Sequence, residues 1–186
     1  MDLDGEPLPH AESGSNLARA APFIAEAIVD LLRRYKTSPP DVQSTLAMML
    51  GWMARGLESF VVPGASRAAQ RLADELELGD LTRFRWRDQR GLMKDPERGV
   101  FHWEHVMPVS DTVKALLALE DPTPSTIVPI LMRTEIAWIL KIEDKRLPRK
   151  DRPDPRAAYV AAGIELLAWS QNADDHEDGA KPAITE

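Results

Sequence analysis

The sequence contains no cysteine in its 186 residues, which excludes disulfide bonds, thiolate catalysis and every metal site that needs a cysteine ligand. It also has no apolar run of the roughly 18–20 residues that a membrane-spanning helix requires. The acidic start, MDLDGEPLPH, lacks the basic and apolar regions of a secretion signal. We therefore expect a cytoplasmic protein that makes no contact with a membrane.

Acidic charge is concentrated at the two ends of the chain. The formal net charge is −7, but residues 1–14 contain four acidic residues and no basic one, and residues 174–186 contain five acidic residues and one lysine. Glycine, proline and serine are also frequent near the ends, which predicts disordered acidic tails over 1–14 and 171–186. The body between them is close to neutral, so its charge does not exclude an anionic partner.

Basic residues in the body lie in two runs, one over 83–98 and the other over 145–156. Such runs are typical of solvated loops, but Lys and Arg side chains also bind the phosphate backbone of nucleic acids. On the second interpretation DNA or RNA is a partner, and the following side chains are predicted to contact it: Arg83, Arg85, Arg87, Arg90, Lys145, Arg146, Arg149 and Lys150.

Apolar residues in the first 80 positions recur with the helical period of about 3.6. The pattern predicts one helix that begins near Pro22, a second that begins near Pro40, and a third that is capped by the Ser66 side chain. In the second helix, Val42 and Met49 belong to the predicted buried stripe. We interpret residues 15–78 as a helical bundle.

The period changes to two after Gly79, which is typical of strands. Alternation over 82–87 and over 100–106 predicts an antiparallel hairpin with a long basic loop. Ile136–Leu140 suits a buried strand, but periodicity does not exclude a helix for so short a run. Ser110 or Asp111 is predicted to cap a helix after this hairpin.

Later turn residues predict a last helix that opens at Asp154 and closes at Gly163. The predicted fold class is α+β, with an N-terminal helical bundle followed by a small mixed sheet with helices. One domain is expected over 15–170, helical over 15–78 and mixed over 79–170.

Three side chains suited to metal binding or proton transfer lie within four positions: His102, Glu104 and His105. On a strand, His102 and Glu104 share one face and His105 takes the other. Imidazole and carboxylate ligands suit Mg, Mn or Zn ions, and a neutral imidazole can act as a general base near pH 7. Histidine in an aromatic-rich strand is also often structural, and the spacing alone does not separate the two interpretations.

The segment EHVMP at 104–108 resembles the first motif of HNH (ββα-metal) endonucleases, in which these residue types stand where a strand gives way to a loop. The resemblance implies that Glu104 binds a divalent metal and that His105 is the catalytic base. It implies Mg, Mn or Zn as the cofactor and a phosphodiester as the substrate. His102, on the same face of the strand as Glu104, is a candidate for a further metal ligand.

The second half of the HNH motif is not found in the sequence. The family continues with an Asn and then a His or Asn, but here Asn172 and His176 are the only later ones, and both lie in the predicted acidic tail. Glu143 and Asp144 are the candidates that could complete the metal site, provided that their turn packs against the predicted hairpin.

Two functions from different classes remain open on the sequence. The first is a nucleic-acid-associated protein with a partial or degenerate HNH-like site, acting as a metal-dependent phosphodiesterase. The second is a non-enzymatic protein whose helical front half binds a protein partner or a second copy, with the histidines structural. Met48, Met49 and Met53 support the second function, because flexible methionine side chains are frequent on adaptable binding surfaces, although core packing explains them equally.

Overall fold

Residues 13–167 are described by a computed structural model, with side chains from Asn16 onward, and they form an α+β fold as predicted. The helices are α1 Ser13–Thr37, α2 Pro40–Gly56, α3 Arg67–Glu75, α4 Val109–Leu117, α5 Pro124–Leu131, α6 Lys141–Asp144 and α7 Pro155–Ala161. The strands are β1 Gly64–Ala65, β2 Phe101–His105 and β3 Ile136–Leu140, and short 3₁₀ helices cover Leu57–Phe60, Leu81–Arg83 and Trp86–Arg90. The predicted tails lie outside the described residues, except that α1 begins with Ser13 and Gly14. No helix within 13–167 is both long enough and apolar enough to cross a bilayer.

The helical layer is built around one face of α1. Five of its buried residues, with Val29 buried beside them, are spaced three and four apart, as an amphipathic helix requires: Leu17, Ala21, Ala25, Ile28 and Leu32. They pack against α2 and α5, and α4 completes the same core by packing against α2 and α5. The prediction that Pro22 opens this helix is wrong, because burial of Leu17 and Ala21 extends α1 by two turns and Pro22 lies inside it.

Helix α2 buries a narrower stripe than the sequence predicts. Leu46, Leu50 and Ala54 are buried, and these positions are four residues apart along one side of the helix. The large apolar residues that α2 leaves exposed are Val42, Met48, Met49 and Trp52. Val42 and Met49 therefore do not belong to the core. Binding of a protein partner through this half of the chain stays a prediction.

The sheet has the order β1-β3-β2, with β3 parallel to β1 and antiparallel to β2. Its central strand β3 is the predicted apolar run, and its fully buried Trp138 makes an edge contact with Trp103 of β2, at 4.8 Å between ring centroids. Side chains alternate along β3, so Trp138 packs into the core on the α3 side while Ile139 packs with Tyr159 of α7 on the other. The contact between Trp103 and Trp138 thus holds β2, the strand that carries the candidate site, against the central strand β3.

The predicted hairpin over 83–106 is wrong. Residues 82–87 form no strand, and β2 pairs instead with β3, with Trp103 opposite Trp138. The alternating segment is held in turns by the carboxylates that flank it. Asp80 accepts the Thr82 backbone N–H at 2.9 Å, and Asp88 accepts the Arg85 backbone N–H at 2.6 Å. Local hydrogen bonding therefore favours tight turns over the strand that the alternation predicts.

Two predicted helix caps are confirmed. The Ser66 hydroxyl accepts the Ala69 N–H at 3.0 Å at the start of α3, and the Asp154 carboxylate accepts the Ala157 N–H at 3.0 Å at the start of α7. Gly163 follows α7 with a φ of 64°, a conformation that favours glycine. The predicted cap of α4 is wrong, since this helix begins directly after Pro108 without a side-chain cap.

Glu143 is a buried structural residue at the junction of β3 and α6. Its carboxylate accepts the Ser66 hydroxyl at 2.6 Å and the Leu140 N–H at 2.9 Å, and it is 3% exposed. These bonds join α6 to the start of α3, and they leave Glu143 outside the group of side chains that could hold a metal.

We expect Glu143→Ala to lower the free energy of unfolding by about 2–3 kcal/mol, because it leaves the buried Ser66 hydroxyl and the part-buried Leu140 N–H without an acceptor. Urea denaturation measures this change. The exposed Glu97 provides the control, since Glu97→Ala should stay within ~0.5 kcal/mol of the parent protein. Equal stability of both variants would contradict a structural role for Glu143.

Candidate metal centre

The pairing of β2 with β3 creates a cluster of three candidate ligands, His102 and Glu104 from β2 and Asp144 from the end of α6. Lys141, the first residue of α6, donates its N–H to the Val100 carbonyl at 2.8 Å, so that α6 runs beside the start of β2. His102 Nε2 lies 3.0 Å from Glu104 Oε2 and 3.5 Å from Asp144 Oδ1. One ligand atom from each residue lies within 4.8 Å of the others. We call this group the metal cluster.

Arg152 holds the Glu104 carboxylate from the side opposite His102. Its Nη1 donates to Glu104 Oε1 at 2.7 Å, and its side chain also donates to the Pro148 carbonyl. The guanidinium group is 4% exposed, so this is a buried ion pair. Burial raises the pKa of Glu104, but the hydrogen bonds from His102 and Arg152 outweigh it and leave the pKa of this carboxyl below its usual range. Glu104 is thus ionised and fixed in orientation.

The loop that carries Arg152 is anchored to α4. The Asp111 carboxylate accepts the backbone N–H of Asp151 at 3.1 Å and that of Arg152 at 2.8 Å. Asp111 therefore does not cap its own helix but fixes a segment 40 residues later in the chain. These two hydrogen bonds hold Arg152 next to the EHVMP segment, which directly precedes α4.

His105 lies on the opposite face of β2 and is 9% exposed. Its Nε2 is 3.3 Å from Glu58 Oε2, but the alignment is too poor for a hydrogen bond between them. The same Glu58 oxygen accepts the Trp103 indole N–H at 3.1 Å. Burial, followed by the positive charge of Arg55, lowers the pKa of His105 to about 4. The ring is therefore neutral at pH 7, and burial makes it a weaker base than a free imidazole.

The metal cluster and His105 open onto one pocket of about 400 Å³. Three arginines, Arg55, Arg149 and Arg152, contribute to its wall. The other lining residues are His102, Trp103, Glu104, His105, Pro108, Val109, Ser110 and Asp144. A pocket that combines carboxylate and imidazole ligands with guanidinium groups has the chemistry to hold a cation and an anionic group side by side.

Tyr159 of α7 lies close to the metal cluster. Its hydroxyl is buried and has no hydrogen-bond partner among the described residues, and its ring centroid is 6.0 Å from the Arg152 guanidinium carbon. Burial, with the negative charges of Glu104 and Asp144, raises the pKa of Tyr159 well above its usual range. The phenol therefore stays neutral.

The structure brings few of the predicted nucleic-acid contacts to this pocket. Arg149 lines it, whereas Arg85 and Arg87 line a second pocket next to it. Arg85 is half-buried and donates to the Val61 carbonyl. The remaining predicted contacts are exposed and line neither pocket: Arg83, Arg90, Lys145, Arg146 and Lys150.

Sequence reasoning missed three side chains that shape the site: Arg55, Glu58 and the carboxylate-binding role of Arg152. Glu58 lies 47 residues before His105 and at the end of a helical segment, where nothing in the local pattern marks it. Arg152 belonged to a predicted basic run, but its burial against Glu104 has no local signal.

Comparisons with known proteins add no relative. No protein-family model, no curated protein and no solved structure matches this chain.

Proposed function

We propose that this protein is a metal-dependent phosphodiesterase that acts on nucleic acid, with a divalent cation held by His102, Glu104 and Asp144. One observation carries the proposal: three ligand atoms from two separate elements lie within 4.8 Å of one another, in a pocket that also contains three arginines. The resemblance of the EHVMP segment to the HNH motif points the same way.

The donor set of the metal cluster fits a hard or borderline divalent ion. One imidazole and two carboxylates suit Mn²⁺, Mg²⁺ or Zn²⁺, and Arg152 fixes one of the carboxylates as an outer partner of a metal ligand does. A divalent cation bound here supplies Lewis-acid stabilisation of the charge that develops on the phosphate oxygens. Two carboxylates and the Arg152 guanidinium give the cluster and Arg152 together a formal charge of −1. A divalent cation changes this charge to +1, so the occupied site attracts a phosphodiester.

In this proposal His105 is the general base. A proton on Nε2, facing Glu58, leaves Nδ1 free to take a proton from the attacking water. The new bond to phosphorus forms as the bond to the leaving oxygen breaks, and the leaving oxygen takes a proton from solvent. The Glu58 carboxylate stabilises the imidazolium until the imidazolium returns its proton to solvent. Arg55 and Arg149 bind the non-bridging oxygens of the phosphate.

Incubation of the full chain with supercoiled plasmid and with single-stranded DNA and RNA, in Mg²⁺, Mn²⁺ or Zn²⁺ and in EDTA, tests the activity. We expect cleavage with at least one metal and none in EDTA. Absence of cleavage with every metal and substrate would remove the enzymatic proposal.

Asp144→Asn tests the metal cluster independently of catalysis. We expect the variant to bind Mn²⁺ at least 10-fold more weakly in a calorimetric titration, because it replaces a charged oxygen ligand by a neutral amide. The matched control is Asp121→Asn, an exposed carboxylate outside the cluster, which should leave Mn²⁺ affinity unchanged. Equal affinity in the two variants would show that Asp144 is not a ligand.

A further inference from the structure

A second pocket, of about 320 Å³, adjoins the metal pocket. The two share Trp103 as a lining residue, and Glu58, which lines the second pocket, accepts the Trp103 indole N–H and lies beside His105. Its complete lining is Glu58, Ser59, Arg85, Trp86, Arg87 and Trp103. Any ligand in the second pocket therefore lies next to the wall of the first.

Trp86 gives this pocket a supported aromatic surface. The indole is 44% exposed, and the Arg98 guanidinium carbon lies 3.6 Å from its ring centroid. Arg98 is not among the lining residues, so it supports the ring from outside the pocket. Arg98 has a φ of 50°, a conformation unfavourable for a non-glycine residue, and the Asp95 carboxylate holds the following loop by accepting the Gly99 N–H at 2.9 Å.

The charge of the pocket is suited to an anion beside the aromatic ring. Arg87 is exposed and forms no salt bridge within residues 13–167, whereas Arg85 is engaged with the Val61 carbonyl. Together with the Glu58 carboxylate, the two arginines leave the pocket with a formal charge of +1. An exposed aromatic face next to an unpaired guanidinium is the arrangement by which proteins bind a base and its phosphate.

We propose that this second pocket binds one unpaired base of a single-stranded nucleic acid, which stacks on Trp86 while Arg87 binds the adjacent phosphate. The inference rests on the proposed function, because a strand that continues past Trp103 brings its next phosphodiester into the metal pocket. It assigns a single strand as the substrate, since the face of a base is free to stack on protein only when it is unpaired and unstacked.

Binding of a fluorescein-labelled 12-nucleotide single-stranded DNA, and of the RNA of the same sequence, tests this assignment by anisotropy at low salt. The titrations contain EDTA, so they do not depend on the metal or on cleavage. We expect Trp86→Ala to weaken binding by roughly 5- to 150-fold, the usual range for loss of one base–aromatic stack, and Trp86→Phe to retain most of the affinity. A duplex of the same sequence should bind the parent protein more weakly than the single strand.

Trp52→Ala is the matched control, since Trp52 is 63% exposed on α2 and lies outside both pockets. Circular dichroism of each variant verifies the fold. Equal affinity of Trp86→Ala and Trp52→Ala, or no binding of either single strand by the parent protein, would overturn the inference. If Trp86→Ala binds the single strand more weakly but the parent protein cleaves nothing with any metal, the base pocket stands and the phosphodiesterase is rejected. If the parent protein cleaves nucleic acid but Trp86→Ala binds the single strand as the parent does, the phosphodiesterase stands and the base pocket is rejected.

Discussion

Replacement of His105 by alanine is expected to lower the rate of nucleic-acid cleavage by roughly 10²–10⁴-fold, the usual contribution of a positioned general base. The expectation follows from the position of the ring, which lines the metal pocket and has the Glu58 carboxylate 3.3 Å from its Nε2. Burial lowers the pKa of His105 to about 4, so the ring is neutral at pH 7 but is a weak base. We therefore expect a loss near the lower end of this range, because a general base contributes most when its pKa lies near the working pH. Cleavage is measured under single-turnover conditions with enzyme in excess.

Metal binding separates the loss of a base from the loss of a ligand. His105→Ala should bind Mn²⁺ as the parent protein does, because its ring faces Glu58 and not the metal cluster, whereas Asp144→Asn should not. His105→Asn fills the buried space with a polar side chain and controls for loss of packing, and it should be as inactive as the alanine variant. Parent-like cleavage by His105→Ala would show that another group takes the proton.

Replacement of Arg152 by methionine is expected to lower the free energy of unfolding by about 3–5 kcal/mol, as measured by urea denaturation at pH 7 in EDTA. The guanidinium is 4% exposed and donates to Glu104 Oε1 at 2.7 Å, and it also lies 3.3 Å from the Val106 carbonyl. Its removal leaves the Glu104 carboxylate, whose side chain is 12% exposed, without its cation and leaves buried carbonyl acceptors without a donor. Arg149→Met, an exposed arginine of the same pocket, should change stability by less than ~0.5 kcal/mol.

A double-mutant cycle shows how much of this loss comes from the ion pair. Glu104→Gln removes the charge that Arg152→Met leaves uncompensated. The double variant should therefore lose less free energy of unfolding than the two single variants lose together, by at least ~1 kcal/mol. Additive effects would show that Arg152 acts through its other contacts, such as the Pro148 carbonyl. The cycle therefore tests whether the buried arginine positions the candidate metal ligand.

Local sequence determined the elements whose signals lie within a few residues. Ser66 caps α3 and Asp154 caps α7 because a capping side chain binds an N–H only three residues ahead. The apolar run at 136–140 is a buried strand, and the alternation along β2 places His102 and Glu104 on one face and His105 on the other. The α+β class follows from these patterns.

Only the tertiary structure decided which distant residues meet at the site. The pairing of β2 with β3 rather than with 82–87, and hence the approach of Asp144 to His102, depends on packing around Trp138. Glu58 and Arg152 reach β2 from 47 and 48 residues away in the chain, on opposite sides in sequence. The free energy of such contacts comes from burial and charge pairing in the folded chain, so no periodicity or spacing along the sequence marks them.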